Sequence, residues 1–96
     1  MDFNEVAIFI KVIQKGSFTG AALALDMPKS TVSTKISNLE KRLGTSLITR
    51  STRKIRLTPA GEAFFLRSTK AIDEITAAEL AVRSENVEPQ GRFKIT

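Results

Sequence analysis

The sequence predicts a mainly α chain, a winged helix-turn-helix followed by a long linker helix. Three observations carry this reading. Apolar residues recur at three- and four-residue steps in separate segments. A cluster of basic and β-branched residues interrupts them once. The last apolar repeat then continues for far longer than a small domain needs.

The first helix is expected over Phe3 to Lys15. Val6, Phe9, Ile10 and Ile13 share one face, and Gly16 suits the helix end. "SFTGAALALDM" follows. Thr19 is read as the N-cap of a short helix built by Ala21, Ala22, Leu23 and Leu25, whose small residues let another helix approach closely. Asp26, Met27 and Pro28 turn the chain, and Pro28 is acceptable in a first helical turn.

The third helix runs to Leu43 and ends at Gly44. Val32, Ile36, Leu39 and Leu43 line one side of it, while Lys29, Ser30, Ser33, Thr34, Ser37 and Lys41 line the other. Hydroxyl residues compete with the backbone for hydrogen bonds, so they are poor choices for a merely solvated helix face. Glu, Lys and Gln would serve better there. The face is therefore read as one that touches a partner. Two helices joined by a tight turn, the second polar outside, form a helix-turn-helix. In that motif the N-terminal end of the second helix enters the major groove of DNA. Short polar side chains let it lie close to base edges, and a helix N-terminus attracts phosphate.

"SLITRSTRKIRLT" has apolar residues at Leu47, Ile55 and Leu57 with basic residues between. Two strands are expected, 46–49 and 54–57, around a turn at Ser51–Arg53. Arg50, Arg53, Lys54 and Arg56 make this hairpin basic. Beside a helix-turn-helix it reads as a wing lying along the phosphate backbone or in the minor groove. As an alternative, its charges protect an exposed edge.

Thr58 as N-cap, Pro59 at the first helical position and Glu62 in the first turn open the last helix. It is expected from Pro59 to Glu85, roughly 40 Å at ~1.5 Å per residue. Phe64, Ala71, Ile75, Ala78 and Val82 form a near-heptad seam, broadened by Leu66, Ile72 and Leu80. Its first turns can pack on the helix-turn-helix; a partner chain is the simplest cover for the rest. Asn86, Pro89 and Gly91 break the helix, and "GRFKIT" starts an alternating pattern with no partner strand. A chain ending this way is expected to be a fragment of a longer protein. The expected organisation is 1–58 for the winged helix-turn-helix, 59–86 for the linker helix and 87–96 for a hinge and first strand.

The 96 residues suit one small domain, and 42% are hydrophobic. The net charge of +5 is unevenly spread: residues 1–57 carry ten Lys/Arg against four Asp/Glu, and residues 58–96 carry five against six. A polyanion partner for the front half follows. The sequence has no His and no Cys, which removes the commonest general base, disulfides and thiolate metal sites. No carboxylate pair or phosphate-cradling loop replaces them, and Asp73-Glu74 reads as a solvated face, so an enzyme is not expected. No stretch approaches the roughly 18 apolar residues of a membrane span. "MDFNEVAIFIKV" lacks the basic n-region of a signal peptide. A cytoplasmic chain is expected. RNA binding is disfavoured because all six aromatics are Phe at core-like positions. A protein-docking helix-turn-helix without specific DNA binding is the main alternative.

The ordered set of motifs resembles the N-terminal DNA-binding domain of LysR-type transcriptional regulators. The residues that carry the resemblance are "FIKVIQKGSFTGAALAL", "VSTKISNLEKRLGTSLITRSTRKIRLTPAG" and the long helix behind them. It covers nearly the whole chain. The resemblance implies a dimer through antiparallel linker helices, with higher oligomers open to the full-length protein. It implies binding of interrupted inverted repeats near promoters, hence a cytoplasmic, nucleoid-associated location. It also implies a C-terminal effector-sensing domain, of which "GRFKIT" would be the first strand; no cofactor is expected in the present domain, and a small-molecule effector only in that further one. The positions implied to reach DNA are Lys29, Ser30, Ser33 and Thr34, with Thr31 and Lys35 beside them. Arg53, with Arg50, would hold backbone or minor groove, and Thr19 and Ser17 would cap the second helix near a phosphate. The chain departs from the family at Pro28-Lys29-Ser30, where Ser-Gln-Pro is common. Lys29 can donate to guanine O6 and N7 or to a phosphate, so base preference does not transfer there. Ile48 replaces a more usual Phe, a matter of packing.

Overall fold

The computed structural model describes residues 2–50 and 54–87, the last three of these by backbone only. Helix α1 spans Phe3–Lys15. Asp2 caps it by accepting from the Asn4 N–H at 2.9 Å. Gly16 ends it at φ 75°, donating to the Val12 carbonyl. Helix α2 spans Phe18–Leu25, and its N-cap is Ser17, not Thr19. Ser17 has the extended backbone a cap requires and accepts from the Gly20 N–H at 2.9 Å. Thr19 lies one turn-position inside the helix, exposed.

Asp26 closes α2 in the left-handed conformation, φ 56°, which a short polar side chain tolerates better than most. Its own N–H reaches the Leu23 carbonyl and the Met27 N–H reaches the Ala22 carbonyl. Pro28 follows in extended backbone and stands at the N-cap of helix α3, Lys29–Leu43, just ahead of the first turn. Gly44 terminates α3 at φ 75°, donating to the Glu40 carbonyl at 2.8 Å.

Strands β1, Ile48–Arg50, and β2, Ile55–Leu57, pair antiparallel with Ile48 opposite Leu57 and Arg50 opposite Ile55. β1 starts two residues later and ends one residue later than the 46–49 expected from sequence, and β2 lacks the first residue of the expected 54–57. The late start of β1 has its reason in Ser46 and Leu47, whose backbone groups are taken by Glu40 of α3 and by Thr58, just ahead of the next helix. Leu47 N–H donates to the Glu40 carboxylate at 2.8 Å. The Thr58 hydroxyl donates to the Ser46 carbonyl at 2.7 Å, and the Thr58 N–H to the Leu47 carbonyl at 3.0 Å. The expected turn at 51–53 lies outside the described residues.

Helix α4 spans Pro59–Val87, two residues longer than expected. Thr58 accepts from the Gly61 N–H at 2.9 Å, so one hydroxyl caps α4 and ties it to Ser46. Gly61 is buried hard against the loop before β1: a Cβ there would collide with the Leu47 carbonyl. The expected hinge and strand start at 88–96 lie outside the described residues.

The core sits where α1, α2 and α3 meet. Phe9, Val12, Ala21, Val32, Ile36 and Leu39 are fully buried in it, and Leu47 closes one end. The Phe9 ring packs against Phe64 at 5.6 Å and Phe65 at 6.3 Å between centroids, which seats the first turns of α4 on α1. Ile72 is the last α4 residue packed on this core; residues 73–84 are all exposed. Glu5 is buried on α1 and paired with Arg42 of α3 at 3.0 Å. Phe3, placed with the core by its residue type, is 69% exposed because it stands at the tip of α1. No helix among the described residues is long and apolar enough to cross a membrane.

Candidate nucleic-acid interface

Burial of Val32, Ile36 and Leu39 fixes the rotation of α3. Lys29, Ser30 and Thr34 are thereby exposed, and Thr31, Ser33 and Lys35 are half-buried at the margins. All six sequence-derived positions thus fall on the outer surface of the N-terminal half of α3. They present four hydroxyls and two ammonium groups, side chains able to donate to base acceptors and to phosphate oxygens. Pro28 provides no side-chain cap, so the opening N–H groups of α3 have no side chain across them.

Ser17 stands at the neighbouring helix start. Its oxygen accepts from Gly20, which leaves its own O–H able to donate outward. Thr19 is exposed beside it. The wing approaches the same corner. Register places Arg50 on the strand face that holds Ile48, Ile55 and Leu57, the side turned to the core. It cannot bury a guanidinium there, and instead lays it over the Phe18 ring, 4.8 Å from the centroid. Arg50 is therefore brought together with α2. Arg56, opposite Thr49, occupies the outer face of the wing and is exposed, as is Lys54. Arg53 lies outside the described residues.

Phe18 is a participant to which reading the sequence assigned no role at the interface. The signal was available in the period-two alternation, which puts Arg50 in phase with Ile48 and so demands a partner for its charge.

The seam residues divide into two groups. Phe64 packs on Phe9 within the domain, a correction to its place in the seam: spacing along a helix says which residues share a face but not which neighbour that face meets. Ala71, Ile75, Ala78 and Val82 are exposed and share one face, which leaves an apolar stripe along the projecting part of α4; Leu66 and Leu80, also exposed, stand on its opposite side.

Three packed helices, a two-stranded basic wing beside the second helix's start, and an outward polar face on α3 define a winged helix-turn-helix domain. The sequence model described as "Bacterial regulatory helix-turn-helix protein, lysR family" matches residues 3–62, and the chain belongs to that family. An HTH-type transcriptional regulator of Xanthomonas campestris pv. campestris is 42% identical over 95 residues, covering 99% of this chain and 28% of the relative. PtxR, an HTH-type transcriptional regulator of Pseudomonas aeruginosa, is 38% identical over 96 residues, 100% of this chain and 31% of its own length. The chain thus spans under a third of these relatives. Among solved structures, a BenM DBD/benA site 1 DNA complex superposes with a TM-score of 0.84 at 27% identity, covering 92% of this chain and 99% of that one. CrgA, a LysR-type transcriptional regulator from Neisseria meningitidis, gives 0.78 at 36% identity over 95% of this chain and 31% of its own.

Proposed function

We propose that this chain is the DNA-binding domain of a bacterial transcriptional regulator that reads double-stranded DNA as a dimer. The observation that carries this reading is the outward face of α3, where Lys29, Ser30 and Thr34 are exposed at the helix's N-terminal half and Ser33 lies half-buried beside them. That half enters the major groove, with Thr31 and Lys35 at its margins. Arg50, Arg53 and the rest of the wing lie on the backbone or in the minor groove, and Ser17 and Thr19 lie near a phosphate. The solved BenM DBD/DNA complex supports the reading through its similar fold. Regulators carrying similar sequences act in transcription by name, which supports a non-enzymatic, cytoplasmic role.

The exposed apolar stripe on α4 joins two copies through antiparallel helices, so the target is an interrupted inverted repeat. A cofactor plays no part in this domain; a small-molecule effector acts on a further domain that follows it in the whole regulator.

Selection from a random pool of short duplexes at two salt concentrations tests the reading. An enriched interrupted palindrome with steep salt dependence is the expected result. No duplex binding at low salt would replace it with a protein-docking role.

A further inference from the structure

We propose that Phe18 is a positioning residue for DNA binding, its ring holding the Arg50 guanidinium by the face so that the edge donors stay open to phosphate or groove oxygens. The inference rests on the DNA-binding reading above and adds a residue to it that belongs to the core side of the domain.

The geometry is specific to arginine. A guanidinium is planar: one face can lie on an aromatic ring while the N–H groups along its rim remain directed away from the ring. Arg50 sits at the last position of β1, and its guanidinium lies 4.8 Å from the Phe18 centroid. Among the described residues it has no carboxylate partner; the one ion pair among them joins Arg42 to Glu5. A carboxylate would have neutralised the charge and occupied the rim. A phenyl face does neither. Phe18 is itself anchored, half-buried and packed against the core as the first residue of α2. The ring is therefore a fixed platform rather than a second mobile side chain.

Fixing Arg50 in this way limits the rotamers that an arginine at the end of a short strand would otherwise sample. Less side-chain entropy is then lost when the guanidinium meets an oxygen of the duplex. The same contact ties the orientation of the wing to the start of α2. A lysine at position 50 keeps the charge and loses both the stacking and the rim of donors.

A double-mutant cycle tests the proposal, with binding of the 96-residue chain to a fluorescently labelled random-sequence duplex at low salt and thermal melts run alongside. Phe18→Leu, which keeps apolar bulk and removes the π face, is expected to weaken binding about two- to five-fold. Phe18→Tyr is expected to keep the wild-type affinity. In an Arg50→Ala background, Phe18→Leu is expected to have no further effect on binding, because the group it positions is gone. Equal losses from Phe18→Leu with and without Arg50 would overturn the proposal and leave Phe18 a packing residue. Unchanged binding in Arg50→Ala would overturn it too, since Arg50 would then touch no DNA. A wild-type chain that binds no duplex at low salt would instead remove the DNA-binding reading itself, and this inference with it.

Discussion

Glu40 and Leu47 are joined across the C-terminal end of α3: one carboxylate oxygen of Glu40 accepts from the Leu47 N–H at 2.8 Å and from the Ile48 N–H at 3.1 Å. The side chain of α3 thereby fixes where β1 begins, and the wing inherits its position from the helix it flanks. Glu40→Ala removes the acceptor and leaves two partly buried N–H groups unpaired. The expected cost is about 1–3 kcal/mol in urea unfolding. Glu40→Gln, which retains an acceptor oxygen, should lose less. Equal midpoints for wild type and Glu40→Ala would show that the bridge does not hold the wing.

Gly61 gives a prediction whose sign is decided by competing magnitudes. On an exposed helix site, Gly to Ala stabilises by about 1 kcal/mol. Here the new Cβ meets the backbone carbonyl of Leu47, which cannot rotate away as a side chain could. Separating α4 from the loop costs about 1–3 kcal/mol for a crowded core site. The clash outweighs the propensity, so Gly61→Ala should lower the melting temperature. A higher melting temperature would mean that α4 shifts without cost.

Ser33 sits half-buried on the N-terminal half of α3, the half proposed to enter the groove. Ser33→Glu places a negative charge against the duplex and is expected to weaken binding about tenfold or more, since ~1.4 kcal/mol of repulsion suffices. Its circular dichroism should match the wild type. Wild-type affinity in the mutant would put the groove contact elsewhere.

Ile75 is 49% exposed on the projecting part of α4. Ile75→Asp inserts a charge into the proposed seam between two copies and should shift sedimentation toward the monomer. An unchanged dimer would mean that a different face of α4 forms the contact.

Much of this architecture is legible in the chain itself. The limits of α1 and α3 follow from apolar steps ended by Gly16 and Gly44, and the start of α4 from Thr58-Pro59. The exposed set on α3 follows from the phase of Val32, Ile36 and Leu39. What local pattern did not give is set by contacts between distant residues. Ser17 and Thr19 are both hydroxyls able to cap, and only the backbone at Ser17 separates them. The start of β1 is set by Glu40 and Thr58, seven and eleven residues away from Leu47. Phe64 belongs to Phe9, far along the chain, and Arg50 found Phe18 because β1 returns to the start of α2.

The exposed run at 73–84 has a consequence for concentration dependence as well as for shape. A helix with no packed face is marginal in water below about 12–15 residues. Folding of the outer half of α4 and its pairing with a second copy then become a single event on the dimer reading. While the free chain is mostly monomeric, occupancy of a two-fold target would rise with the square of chain concentration, so a modest change in synthesis would act as a steep dose response.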